Sequence, residues 1–114
     1  MITIYHNSRC KISRLVLEKL KSSGKEYTII EYLKTIPSIE DIKKLLLKLN
    51  AKPIDIIRKN ETIFKKQFKD KSFTDEEWLI IIHENPILIE RPILENKYKA
   101  IICRPPEKFV ELIK

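Results

Sequence analysis

Apolar and polar positions alternate at the start of the chain. Ile2 and Ile4 stand against Thr3 and Tyr5, a period of two that predicts a strand over residues 1–5. After His6-Asn7-Ser8-Arg9 the period lengthens. Ile12, Leu15, Val16 and Leu20 recur at helical spacing, so a helix is predicted to begin near Cys10 with these four on its apolar face. Gly24, the only glycine, follows the last turn, where a left-handed cap suits a residue without Cβ. Residues 27–31 then read as a second strand. Strand, helix and strand in about thirty residues make a βαβ unit, whose strands are parallel.

The middle of the chain is helical. Ser38 followed by Asp41 resembles a capping box, and Ile39, Ile42, Leu46 and Leu49 form the stripe of a helix that Asn50-Ala51-Lys52-Pro53 ends. Short helices are predicted near 54–58 and 61–67. Thr74 with Glu77 is a second capping box and opens a helix through Trp78 to His83, which Asn85-Pro86 stops. Beyond it, 92–95 and 99–103 are short apolar runs around a turn, which is a hairpin signal. Pro105-Pro106 opens a last helix, with Phe109, Val110, Leu112 and Ile113 apolar. No internal repeat and no low-complexity segment interrupts this order.

Length and composition narrow the class. The 114 residues suit one domain, and 43% hydrophobic residues exclude a disordered chain. No apolar run approaches the roughly 18 residues of a membrane span, and the N-terminus has no signal-peptide pattern, so a cytoplasmic protein is expected. Two cysteines are too few for a disulfide scaffold, and the two histidines lie far apart, so no metal site is expected. The net charge of +7 is mostly scattered lysine. Residues 1–35 carry seven positive and three negative side chains, the densest excess. A small anionic substrate fits that distribution as well as a nucleic acid does, and no recognition motif or basic–aromatic stripe points to nucleic acid.

Cys10 sits between a strand and a helix. Free N–H groups and the dipole of a helix N-terminus favour a thiolate there, with Arg9 and Arg14 adding positive charge. The other reading is a small buried hydrophobe. His6, Cys10 and Arg14 follow one another at intervals of four. His6 either tunes the thiolate or orders the loop. Ser13 makes the pattern Cys-x-x-Ser, so no second thiol in the helix closes an internal disulfide. Only five of the 23 basic residues are arginine. Guanidinium forks bind tetrahedral oxyanions through paired donors, which makes Arg58, Arg91 and Arg104 candidates for that task, or else ordinary surface residues. Alternation along the last strand puts Ile101 and Cys103 on one face and Ile102 and Arg104 on the other. If Arg104 turns toward an oxyanion, Cys103 turns into the apolar layer.

The chain resembles the glutaredoxin-coupled arsenate reductases, a branch of the thioredoxin-like superfamily. The likeness rests on Ile4-Tyr5-His6-Asn7-Ser8-Arg9-Cys10, Ser13-Arg14, Glu31-Tyr32-Leu33-Lys34-Thr35, Arg58-Lys59-Asn60-Glu61, the segment from Asn85 to Ile93, and Arg104-Pro105-Pro106-Glu107. These lie in the family's order over nearly the whole chain. The sequence departs from the family pattern at Ser8, where a proline is common, and at Lys11-Ile12, which replace smaller residues.

The resemblance implies a single α/β domain, a thioredoxin-like sandwich over 1–114. It has a mixed four-stranded sheet near 1–5, 27–31, 93–95 and 99–103, and a helical insertion near 36–86. It implies Cys10 as nucleophile, His6 and Arg14 as the rest of a His-x3-Cys-x3-Arg motif, and Arg58, Arg91 and Arg104 as oxyanion ligands. Pro92 is the expected cis-proline. Arsenate is the implied substrate, glutathione the reducing co-substrate and glutaredoxin a transient partner of a monomeric enzyme without bound cofactor. Two alternatives share the fold: a divergent thiol oxidoreductase with another substrate, and a redox-sensing transcription regulator that binds RNA polymerase.

Overall fold

The computed structural model describes residues 1–113. In chain order its elements are β1 (Ile2–His6), α1 (Lys11–Ser23), β2 (Tyr27–Glu31), α2 (Ile39–Leu49), α3 (Thr62–Gln67), α4 (Asp75–Glu84), β3 (Ile93–Glu95), β4 (Ala100–Ile102) and α5 (Val110–Ile113). Single 3-10 turns lie at Pro53–Ile56, Pro86–Leu88 and Pro106–Phe109. The residues gather into two compact units, Met1–Thr35 with the chain from Arg91 onward, and Ile36–Glu90.

The first unit is a mixed four-stranded sheet in the order β2-β1-β3-β4. β1 runs parallel to β2, as the βαβ pattern predicts, and antiparallel to β3, which pairs antiparallel with β4. This is the thioredoxin-like α/β arrangement that the resemblance implies. Ile2, Ile4 and Leu94 face Val16 and Leu20 of α1, with Cys103 and Leu112 completing the cluster. Removing that apolar surface from water is what fixes α1 on the sheet. One residue departs from the predicted face of α1. Leu15 is 44% exposed, and Ser13 takes the inward position at 0%. The inward stripe is Ser13, Val16 and Leu20, spaced i, i+3 and i+7, and Leu15 lies a step round the helix from it. β4 is also shorter than expected: Cys103 lies beyond it, although its N–H still donates to the Pro92 carbonyl at 2.8 Å.

The second unit is helical. Ser38 Oγ accepts from the Asp41 N–H, and Thr74 and Glu77 form a reciprocal capping box. Both helices thereby satisfy N–H groups that their first turns leave open. In α2 the buried side chains are Ile42, Leu45 and Leu46 rather than the whole predicted stripe, since Ile39 and Leu49 are only partly covered. Trp78 stacks with Phe64 and meets Phe73 edge-on at a centroid distance of 4.8 Å. The helix predicted near 54–58 is a 3-10 turn that stops at Ile56. Ile57 instead pairs with Ile89, the Arg58 N–H donates to the Leu88 carbonyl and the Glu90 N–H to the Ile56 carbonyl. This short ladder takes the backbone groups that a helix would need.

Gly24 closes α1 at φ 75°, with nothing within 4 Å of the position a Cβ would occupy. The constraint there is purely conformational. Gly24→Ala is expected to destabilise the protein by about 1 kcal/mol in urea denaturation, and Gly24→Asn by less, because Asn tolerates the left-handed region better.

Candidate active site

The sheet's registers decide which residues meet. Tyr5 pairs with Ile93, and Ile93 with Ile102, so these three stand in a row across β1, β3 and β4. That row lies near the C-terminal end of β1, the N-terminal end of β3 and the C-terminal end of β4. The segment leaving β1 carries Cys10, the segment entering β3 carries Arg91, and the segment leaving β4 carries Arg104. Positions more than 80 residues apart in sequence thus share one edge of the sheet.

Cys10 is the N-cap of α1, with φ −92° and ψ 123°, and its side chain caps nothing. Its N–H donates to the Asn7 carbonyl at 3.0 Å and its own carbonyl accepts from the Arg14 N–H. The loop is tied down on both sides of the thiol. Asn7 is buried, and its Oδ1 accepts from the Arg9 N–H at 2.9 Å. Arg104 Nη1 lies 3.9 Å from Cys10 Sγ and donates to the Arg91 carbonyl at 2.8 Å. One guanidinium therefore holds the thiol and the chain before Pro92 together. The Arg91–Pro92 bond is cis, and so is Arg104–Pro105, which the sequence does not reveal.

These contacts set the acidity of Cys10. Burial alone raises the thiol pKa, because it disfavours the anion. The Ser13 backbone N–H, the Arg91 and Arg104 guanidinium groups and the Ile12 backbone N–H outweigh it, and the pKa falls below its ordinary value. The result is a thiol that ionises more readily than an ordinary cysteine, with donors around its sulfur. Cys103 is the opposite case. It is fully buried in the apolar cluster, on the face that strand alternation predicts, with Sγ 3.5 Å from the Pro106 carbonyl. Burial, with Glu111 nearby, pushes its thiol up to about 12.

His6 and Arg14 stand one step back from the sulfur. His6 is buried at the end of β1, and its Nδ1 lies 2.7 Å from Ser13 Oγ. The same hydroxyl oxygen accepts from the Asn7 N–H at 3.1 Å. Burial lowers the His6 pKa, with Glu31 opposing and Arg14 and Lys21 adding to the effect. The ring is accordingly neutral at neutral pH and orders the loop through Ser13. Ser13, which in the Cys-x-x-Ser pattern marks only the lack of a second thiol, is the residue that ties His6 to the loop. The signal of that role is its place on the inward stripe of α1. Arg14 is exposed, and its Nη1 donates to the Ser8 carbonyl at 3.0 Å. It braces the loop from outside.

Arg58 belongs to the second unit. It is partly buried, and its Nε donates to Glu61 Oε2 at 3.1 Å. That leaves the terminal nitrogens on the other edge of its fork. Among the described residues no three His, Cys, Asp or Glu side chains are grouped as metal ligands, and no helix is long and apolar enough to cross a membrane.

Comparison with known proteins gives consistent matches. A model of the ArsC family matches residues 5–112. The arsenate reductase of Escherichia coli K12 is 36% identical over 113 residues, which covers 98% of this chain and 80% of that protein. The uncharacterized protein YfgD of the same organism is 35% identical over 116 residues, covering 98% of this chain and 96% of its own length. The solved structure of an arsenate reductase from Vibrio cholerae superposes with a TM-score of 0.90 at 35% identity, covering 96% of this chain and 95% of its own.

The two thiols should separate cleanly by reactivity. Iodoacetamide at neutral pH is expected to modify Cys10 and spare Cys103 in the native protein, and to modify both in denaturant. Because the Cys10 pKa is lowered, its alkylation rate should hold as pH falls below the ordinary thiol range and decline only at lower pH, which a rate–pH titration measures. A Cys10 titration at or above the ordinary value refutes the activated thiolate.

Proposed function

The chain belongs to the ArsC family, and from that premise we propose that it is an arsenate reductase, converting arsenate to arsenite through a thiol–arsenate adduct on Cys10. The observation that carries this reading is the cradle around the sulfur: Cys10 at the N-terminus of α1 with Arg104 Nη1 3.9 Å away and Arg91 beside it. A tetrahedral oxyanion meeting that thiolate finds guanidinium forks for its oxygens.

The chemistry follows from the groups in place. Cys10 thiolate attacks arsenic, an Sγ–As bond forms, and one oxygen leaves as water after protonation. Arg91 and Arg104 take up the charge on the remaining oxygens. The family resemblance makes Arg58 a further candidate ligand of the oxyanion. A glutathione thiolate then attacks Sγ. The new S–S bond forms as the Sγ–As electron pair passes to arsenic, which falls from the +5 to the +3 state and departs as arsenite. The two sulfurs have lost the two electrons that arsenic gained. Glutaredoxin clears the mixed disulfide left on Cys10 by thiol–disulfide exchange. In this scheme His6, Ser13 and Arg14 are positioning residues that hold the loop, and the enzyme works as a cytoplasmic monomer with no bound cofactor. Phosphate fits the same cradle and serves as a competitive ligand, since thiols do not readily reduce it.

Arsenate-dependent oxidation of glutathione in the presence of glutaredoxin tests the reading. Cys10→Ser should abolish turnover, while Cys103→Ala stays near normal. Arg91→Ala and Arg104→Ala should each lower kcat/KM by about 10²-fold or more, and Arg58→Ala should weaken turnover, with lysine rescuing each only partly. An inactive but folded Cys103→Ala protein, together with a Cys10–Cys103 disulfide in the oxidised wild type, would overturn the external-thiol scheme.

We also take the helical unit Ile36–Glu90 to be an insertion in a single domain. Trp78, the only tryptophan, reports on that unit, and the buried Cys103 reports on the other. Trp78 fluorescence and Cys103 labelling should share one denaturation midpoint. Two separate midpoints refute the single domain.

A further inference from the structure

We propose that Arg9 and Lys11 read the carboxylates of the incoming thiol, so that Cys10 selects an anionic low-molecular-weight thiol of glutathione's class over neutral or cationic ones. The inference rests on Cys10 as a nucleophile resolved by an external thiol, and it assigns that co-substrate's specificity to two residues.

Both residues are next to Cys10 in the chain, one on each side, and both side chains are exposed. Consecutive Cα atoms lie about 3.8 Å apart. Both cations are thus carried on residues that flank the thiol, and salt screens exposed charges over about 8 Å at physiological ionic strength. Among the described residues neither Arg9 nor Lys11 is in an ion pair. The sequence supplies no local counter-charge: residues 1–17 contain no Asp or Glu, and the first turn of α1 has no acidic residue. α2 and α4, which do open on a capping side chain, differ, with Glu40 and Asp41 in the first turn of α2 and Asp75, Glu76 and Glu77 in that of α4.

The charges around the thiol divide by task. Arg104 lies against Sγ and the Arg91 carbonyl, and Arg91 is buried beside it. Arg14 is exposed and bonded to the Ser8 carbonyl. Glu31, paired with His6 across β1 and β2, acts on the His6 ring, and Lys34 lies 3.7 Å from it. Arg9 and Lys11 are the solvent-facing cations left to meet a second reactant after the oxyanion has taken the guanidinium groups. Charge of one sign at the mouth of a site raises the encounter rate of the opposite sign, and salt screens the effect.

Thiol–disulfide exchange tests this without arsenate. Cys10 thiolate attacks one sulfur of a symmetrical disulfide, an S–S bond to Sγ forms, and the other half leaves as thiolate, so no further oxidant is needed. Three probes differ in charge: glutathione disulfide carries two net negative charges, hydroxyethyl disulfide none, and cystamine two positive. Mass spectrometry follows the adduct on the Cys10 peptide. The neutral probe reports the intrinsic reactivity of the thiolate, so the anionic-to-neutral rate ratio isolates the charge reading.

In wild type that ratio should exceed the cationic-to-neutral ratio by about tenfold at low ionic strength and shrink with added salt. Arg9→Ala and Lys11→Ala should each lower it about threefold, Lys11→Glu about tenfold, and Lys11→Arg should preserve it. Ratios within twofold of wild type in Lys11→Glu and in the Arg9→Ala/Lys11→Ala double variant overturn the proposal, as does a wild-type ratio that ignores salt. If the ratios behave as expected but arsenate drives no glutathione oxidation, the thiol selectivity stands and the arsenate reading falls.

Discussion

The site depends on making a thiol more acidic in a partly buried place. Burial acts against the thiolate at Cys10, and the protein answers with donors from three separated segments: the first N–H groups of α1, Arg91 and Arg104. The sheet is the device that joins them, because an antiparallel β1–β3–β4 register brings the chain after β1, before β3 and after β4 to one edge. The hydrogen bond from Arg104 to the Arg91 carbonyl then locks two of the three segments to each other. A register slip by one residue turns Arg104 to the face now held by Cys103 and removes its 3.9 Å contact with the sulfur.

The two cysteines show the same side chain under opposite constraints. Cys103 has burial without donors to its anion, and its thiol rises to about 12. Cys10 has burial with donors, and its thiol falls. The difference of one position just past β4, Cys103 against Arg104, decides which residue meets the apolar cluster and which meets Cys10. Packing and chemistry are the two faces of one sheet.

Strand alternation made that division legible before any coordinates, as did the Ser38 and Thr74 caps and the left-handed Gly24. These are local rules with strong stereochemical causes. Elsewhere tertiary context overrides local pattern. Leu15 looked like core because it is apolar, yet the helix turned Ser13 inward, where its hydroxyl serves His6 and the Asn7 N–H. Residues 54–58 looked helical, yet the Ile57–Ile89 bridge claimed their backbone groups. The second cis bond, at Arg104–Pro105, leaves no mark that distinguishes it from an ordinary X–Pro pair. Composition did single out the arginines, since a chain so rich in lysine has only five. Which arginine does what was a matter of geometry: Arg104 on the sulfur, Arg14 on the Ser8 carbonyl.

The start of α1 is built against the usual preference for helix ends. Acidic side chains in the first turn interact favourably with the dipole, and α2 and α4 follow that rule. α1 has none and carries Lys11 and Arg14 there instead, each disfavoured by about 0.3–1 kcal/mol at an exposed helix N-terminus. Burial of Val16 and Leu20 against Ile2, Ile4 and Leu94 is larger than that and holds the helix in place. The fold can therefore carry an uncompensated positive end at the helix whose N-cap is Cys10. An acidic residue in that turn would steady the helix by the same few tenths of a kcal/mol and repel both the thiolate and any anion approaching it. Local stability and reactivity ask for opposite charges here, and the sequence carries the charges that reactivity requires.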